Sequence, residues 1–376
     1  MYPSLEEFKE LSKKYNRITV YKETEGDMDT PVSILSRLLS LYRAILLESA
    51  KEGKVYSRFS FLAFDIREKL LLREDGLYNN GRRLGDISYL QEILLQNKTA
   101  PLEGFGDFSG GYAGYLNFGF VGQCDILRYP LVHKDPYTGV LYLIEKFCAY
   151  DNYTNRLYIA LSKKIDGSIP PEGIYERIGE ELSRSERQLK GLTMVRPMPI
   201  NPAITRNILK ERFMEKAAEI KKMIEEGEAI QVVLSDYLEI ENLDPFQFYR
   251  NLRKINPSPY MFFIKDANMS LVGSSPEVHF RIRGSMAYLR PIAGTKPRGG
   301  PDTVGDIARK LAEDEKERAE HLMLVDLARN DLSRICRAGS VSVESFMESE
   351  VYSHVLHLVS QVKGELEDAS DVIEAI

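Results

Sequence analysis

Short apolar runs of strand length, joined by turns, most narrow what this chain can fold into. Residues 59–64 and 69–72 alternate, and 140–150 and 156–161 read as two strands with the polar stretch 151–155 between them. Asp135-Pro-Tyr-Thr-Gly139 punctuates the approach to the first of these as a turn. Further strands are expected at 229–240, 269–272, 277–282 and 286–290. Helical spacing predicts helices over 31–48, 174–190 and 306–330. Another is expected behind a Thr205 cap, with Leu209, Phe213, Ala217, Ile220 and Ile224 on one face and Gly227 at its end. Strands with short turns between them, mixed with a few helices, argue an α+β fold rather than a regular βαβ alternation. The Pro-, Gly- and charge-rich stretch 163–204 reads as a connection between halves. Two regions are therefore expected, 1–190 and 200–376.

Hydrophobic residues make up 43% of the chain and charged residues 28%, enough to bury a core and too little charge for disorder. A formal net charge of -6 gives no general attraction to nucleic acid or to an anionic membrane. The three cysteines, Cys124, Cys148 and Cys336, are far apart and form no C-x-x-C pair. A thiolate zinc site is not expected on that spacing, and a reducing compartment is expected. With no signal-peptide pattern and no apolar run of spanning length, a cytoplasmic location without membrane is the expectation. The stretch Gly110-Gly-Tyr-Ala-Gly-Tyr115 fits neither phosphate-loop nor dinucleotide-loop spacing.

Several stretches could carry chemistry. Glu277 follows Pro276 and sits near Val278 and Phe280, where a carboxyl could keep its proton and act as an acid. Taken alone, a strand-start glutamate facing water is the plainer reading. Glu313, Glu317 and Glu320 share one helix face, whose repulsion a divalent cation would relieve; a solvated face paired with Lys316 and Arg318 is the plainer reading. His354 and His357 lie three apart without the glutamate of a zinc motif, so an acid–base role fits better than a metal pair. In Arg290-Pro-Ile-Ala-Gly-Thr-Lys-Pro-Arg298, Gly294 would let the backbone approach a ligand and Thr295 offers a hydroxyl. Asn256-Pro-Ser-Pro-Tyr-Met261 reads as a stiff turn entering a core strand.

Taken together and in order, these stretches resemble the chorismate-utilising enzymes. The resemblance is carried by Gly227-Glu-Ala-Ile-Gln-Val-Val-Leu-Ser235, Gly273-Ser-Ser-Pro-Glu277, Arg290-Pro-Ile-Ala-Gly-Thr295, Asp314 through Asp331, and Val355-Leu-His-Leu-Val-Ser360. Leu46-Leu-Glu-Ser49 and the glycine-rich stretch at 110–115 extend it over most of the chain. Water-using members typically carry a lysine base where this chain has Gln231, and aminodeoxychorismate synthases a lysine nucleophile where it has Ala293. The ammonia-using anthranilate synthase branch remains.

The resemblance implies a large α+β body with extended antiparallel sheets. It implies magnesium held by Glu320 with Glu317 close behind, Glu277 and His357 as catalytic groups, and Gly294 and Thr295 lining the chorismate pocket. It also implies ammonia from a glutamine amidotransferase subunit, component II, and tryptophan as feedback inhibitor at Glu48, Ser49, Pro259, Tyr260 and Met261. The family normally continues beyond the point matching Ile376 with a second magnesium glutamate and a glycine-rich loop. A truncated chain with an incomplete site is therefore expected, which leaves open a non-catalytic module that binds tryptophan or the amidotransferase. Ser333 stands where the family commonly has glycine, with only a local effect expected.

Overall fold

The structure is a computed structural model that describes residues 1–49, 58–102, 104, 108–124, 136–165, 167–196, 202–267, 269–298, 302–352 and 354–368. Asp135, at the head of the expected turn, lies outside them, as does Ser353. The fold is α+β, and every strand ladder among the described residues is antiparallel.

The chain forms two compact units, residues 196–251 and the remainder. In the larger unit a seven-stranded sheet runs in the order Arg17–Thr24, Arg156–Lys164, Lys146–Asp151, Phe59–Phe64, Arg43–Glu48, Tyr260–Asp266, Met269–Ser275. Its last two strands come from beyond residue 250, so this sheet joins the two sequence regions expected to be separate. A five-stranded sheet runs Arg82–Gly85, Gly76–Asn79, Lys69–Arg73, Gly139–Ile144, Gly111–Leu116. The run expected as one strand at 140–150 is thus two, which change sheet at Glu145. Tyr142, Ile144 and Phe147 from either side of that change share a buried cluster with Ile45 and Ala63.

A third sheet positions the candidate site. Its central strand Val355–Glu365 pairs with Met286–Leu289, Ile292–Pro297 and Ser342–Val351, and Arg281–Arg283 adds to its edge. The helix Glu315–Ile335 packs on it through Val325, Ala328 and Leu332 against Ala287, Val362 and Leu366. The helix Val304–Glu313 adds Ile307 and Leu311 against Leu356 and Leu358. Leu311, Leu332, Leu356 and Leu358 are fully buried, and each side chain so removed from water contributes about 1.5–3 kcal/mol before entropy is counted.

Several local expectations are corrected. The helix expected over 31–48 stops at Leu38, and Arg43–Glu48 is a strand paired on both edges. Ala44, Ile45, Leu46 and Glu48 are all buried, so the run has no polar face by which its period could be read. Thr205 does not cap a helix; it lies in the strand Ala203–Arg206, paired with Leu238–Glu241, and the helix runs Lys210–Glu225. Only Leu238–Glu241 of the expected strand 229–240 is regular, which leaves Gln231 outside any element. The strand expected from Glu277 begins at Arg281, because Pro276 breaks the ladder after Ser275. The long helix expected at 306–330 is two helices, parted at Asp314. The helix expected at 174–190 is present as Pro171–Gly191. Among the described residues no helix is long and apolar enough to cross a membrane.

Candidate active site

The site is built on a break in register. Ala293 pairs with Leu358 and Thr295 with His357, so Gly294 is the extra residue of a bulge. Gly294 has φ +78°, a conformation in which a side chain would be strained. The bulge turns Thr295 outward to solvent and sets its Oγ1 3.0 Å from Nδ1 of His357. The Thr295 backbone N–H donates to Oε2 of Glu317 at 2.9 Å. Three residues expected to act together therefore touch, across sequence separations of 22 and 62.

The helix that carries Glu317 starts here for a local reason. Asp314 Oδ1 accepts from the N–H groups of Lys316 and Glu317 at 3.1 and 3.2 Å, an N-cap that splits the two helices. Its other oxygen binds Lys296 Nζ at 2.7 Å, which ties the bulged strand to the start of this helix. One turn on from Glu317 stands Glu320, also half-buried; its carboxylate makes no hydrogen bond or ion pair among the described residues. No group of three or more metal-ligating side chains occurs among the described residues. Magnesium needs only one or two protein carboxylates, with waters and a substrate oxygen filling its octahedron. The pair Glu317 and Glu320 suits that demand, with Glu320 the freer donor.

His357 is half-buried, with the Tyr352 ring set edge-on at 5.0 Å between centroids. The Tyr352 hydroxyl donates to Glu350 at 3.2 Å, and Glu350 in turn pairs with Arg290 and sits opposite His357 in the ladder. The other histidine of the pair is occupied elsewhere: Nε2 of His354 donates to the carbonyl of Ile255 at 2.8 Å. The two do not share a helix, since the segment is a strand.

Glu277 lies in the turn after the strand Met269–Ser275, its N–H donating to Ser275 Oγ at 3.3 Å. The residue as a whole is exposed, yet partial burial of its carboxyl pushes the pKa up. The Ile292 N–H and nearby His279 pull it back part of the way. A carboxyl that holds its proton longer than usual beside the strand Ile292–Pro297 is suited to donate it.

A family model described as chorismate binding enzyme matches residues 42–376. The chain belongs to this family. It is 35% identical to anthranilate synthase component 1 of Aquifex aeolicus (strain VF5), over 99% of this chain and 78% of the relative. It is 32% identical to that of Acetivibrio thermocellus, over 100% of this chain and 79% of the relative. The crystal structure of anthranilate synthase component I from Streptococcus pneumoniae TIGR4 superposes with a TM-score of 0.73 at 26% identity, covering 86% of this chain and 73% of that one.

In this chorismate-binding chain the residues expected to hold an inhibitor also meet. Met261 lies opposite Glu48 in adjacent strands, with Pro259 and Tyr260 just before it. Glu48 is buried, and both its oxygens take 2.8 Å bonds from the guanidinium of Arg253. The Ser49 Oγ is buried with no hydrogen-bond partner among the described residues, a group that a ligand or a water would satisfy. Tyr260 receives a bond of 3.4 Å from Arg281.

Reading along the sequence missed Arg253, Asp314, Lys296 and Tyr352 as parts of these groups. Only Asp314 carried a local signal, an aspartate three residues before Glu317 in the capping pattern. The others depend on pairings across the fold.

Proposed function

We propose that this chain is the synthase subunit of an anthranilate synthase, which combines chorismate with ammonia and releases anthranilate, pyruvate and water. The observation that carries the choice among chorismate enzymes is Ala293. It is buried at the bulge, a methyl group where aminodeoxychorismate synthases bear a lysine nucleophile. A covalent route through that position is closed, and direct attack of ammonia on ring carbon C2 remains.

Thr295 and the backbone around Gly294 line the pocket and orient the ring. Glu277 delivers its proton to the C4 hydroxyl, which leaves as water as the C2–N bond forms. His357, oriented by Thr295 and Tyr352, takes the C2 proton as the enolpyruvyl group leaves and the ring becomes aromatic. Glu320, with Glu317 behind it, would hold magnesium, which when bound neutralises the ring carboxylate of chorismate. Ammonia comes from a glutamine amidotransferase partner, component II. Tryptophan is the feedback inhibitor, held among Glu48, Ser49, Pro259, Tyr260 and Met261.

The test incubates the purified chain with chorismate, magnesium and concentrated ammonium salt at mildly alkaline pH, with products resolved by chromatography and fluorescence. Anthranilate supports the reading. Aminodeoxychorismate or isochorismate in its place moves the chain to another branch and refutes the argument from Ala293 or Gln231. No product at all refutes the reading for this chain by itself.

A further inference from the structure

His321 is a buried polar residue that the proposed chemistry leaves unused, and it touches both strands of the bulge. It follows Glu320 on the helix Glu315–Ile335 and is 0% exposed. Its Nδ1 lies 3.2 Å from the carbonyl oxygen of Ala293, and its Nε2 lies 2.7 Å from Oγ of Ser360. The same Ser360 Oγ accepts the backbone N–H of Met347 at 2.9 Å.

In a neutral ring, the two ends of this chain of bonds set its direction. A carbonyl only accepts and a backbone N–H only donates. Met347 N–H therefore gives to Ser360 Oγ, Ser360 O–H gives to His321 Nε2, and His321 Nδ1–H gives to the Ala293 carbonyl. A neutral imidazole protonated at Nδ1 satisfies every link, with no polar atom of the ring left over. Each link also adjoins a site residue. Ala293 is the last residue before the register shift at Gly294 and Thr295, Ser360 lies on the strand of His357, and His321 follows Glu320 directly.

We propose that His321 is a positioning residue: its two ring nitrogens clamp the bulged strand and the His357 strand to the helix bearing Glu317 and Glu320. The clamp holds Thr295 against His357. Its effect on catalysis rests on the anthranilate synthase reading; its effect on geometry does not. Space filling alone would need a ring of this volume and no particular proton placement.

The experiment uses the full 15N-labelled chain and histidine side-chain NMR, with His321→Gln and His357→Gln variants to assign the two rings. His321 is expected as the Nδ1–H tautomer. His321→Asn keeps a donor at the δ position for Ala293 and loses the Ser360 link; Ser360→Ala loses the same link from the other side. Both should shift the His357 ring signals while thermal unfolding stays cooperative. Both should also lower kcat/KM for chorismate roughly 10- to 100-fold. The double variant should be no worse than Ser360→Ala alone, because Ser360→Ala already removes the His321 link together with the Met347 one. An Nε2–H tautomer, unmoved His357 signals in Ser360→Ala, or fully additive losses would overturn the proposal. If His321→Asn fails to fold, Ser360→Ala decides by the His357 signals. If the parent chain makes no anthranilate, the function reading fails, and the NMR comparison still decides the clamp.

Discussion

Replacing Gly294 by alanine tests the bulge directly, and Gly339 supplies a matched control. Both glycines have φ +78°, so alanine at either pays the same left-handed backbone penalty of about 1–2 kcal/mol. The two differ in space. At Gly339 a Cβ meets nothing within 4 Å, whereas at Gly294 it lies 3.1 Å from Leu358 Cδ1, 3.3 Å from Leu358 Cγ and 3.4 Å from Glu317 Cβ. Leu358 is fully buried beside Ile307, Leu311 and Leu356, so it has little room to yield. Overpacking of this kind adds about 1–3 kcal/mol. Gly339→Ala should therefore lose about 1–2 kcal/mol and Gly294→Ala about 2–5 kcal/mol. The smaller entropy of an unfolded chain with alanine offsets both by the same few tenths to 1 kcal/mol, about as for other Gly-to-Ala changes. Urea unfolding followed by circular dichroism measures the difference between the two variants. The strain at Gly294 is relieved by moving Thr295 or Glu317, so that variant alone should also lose catalytic efficiency. Equal losses of stability in the two variants, or full activity in Gly294→Ala, would refute the reasoning.

Two further outcomes are expected. The folded-state pKa of Glu277 is raised by burial, so the native chain holds that proton more tightly than the unfolded chain does, and stability should fall as pH rises through the folded pKa. Glu277→Gln should flatten that part of the stability–pH curve and cut anthranilate formation by roughly 10²- to 10⁴-fold; an unchanged curve with unchanged turnover contradicts the assignment. Ser49→Ala removes a buried hydroxyl that has no partner among the described residues, so stability should stay within about 1 kcal/mol or rise. Tryptophan inhibition should vanish while turnover persists, as read by inhibition curves and calorimetry, and inhibition at parental strength removes Ser49 from the site.

What a sequence of this kind determines is local. Alternation marked the strands at 59–64 and 69–72, helical spacing marked a helix at 174–190, and the ordered motifs placed the chain among chorismate enzymes with Thr295, His357, Glu317, Glu320 and Glu277 as its candidate residues. Short apolar runs defeated the same method. Arg43–Glu48 has no polar face, because strands cover both its edges and Ala44, Ile45, Leu46 and Glu48 are buried. Only tertiary structure decides such a case, since the preference for strand comes from neighbours and not from the segment. The site follows the same division. Glu48 and Arg253 pair across 205 residues, Thr295 and His357 across 62, and His321 reaches Ser360 across 39. A hydrogen bond is satisfied by whatever polar group lies within about 3 Å in space, and periodicity along the chain holds no record of which distant residue that is.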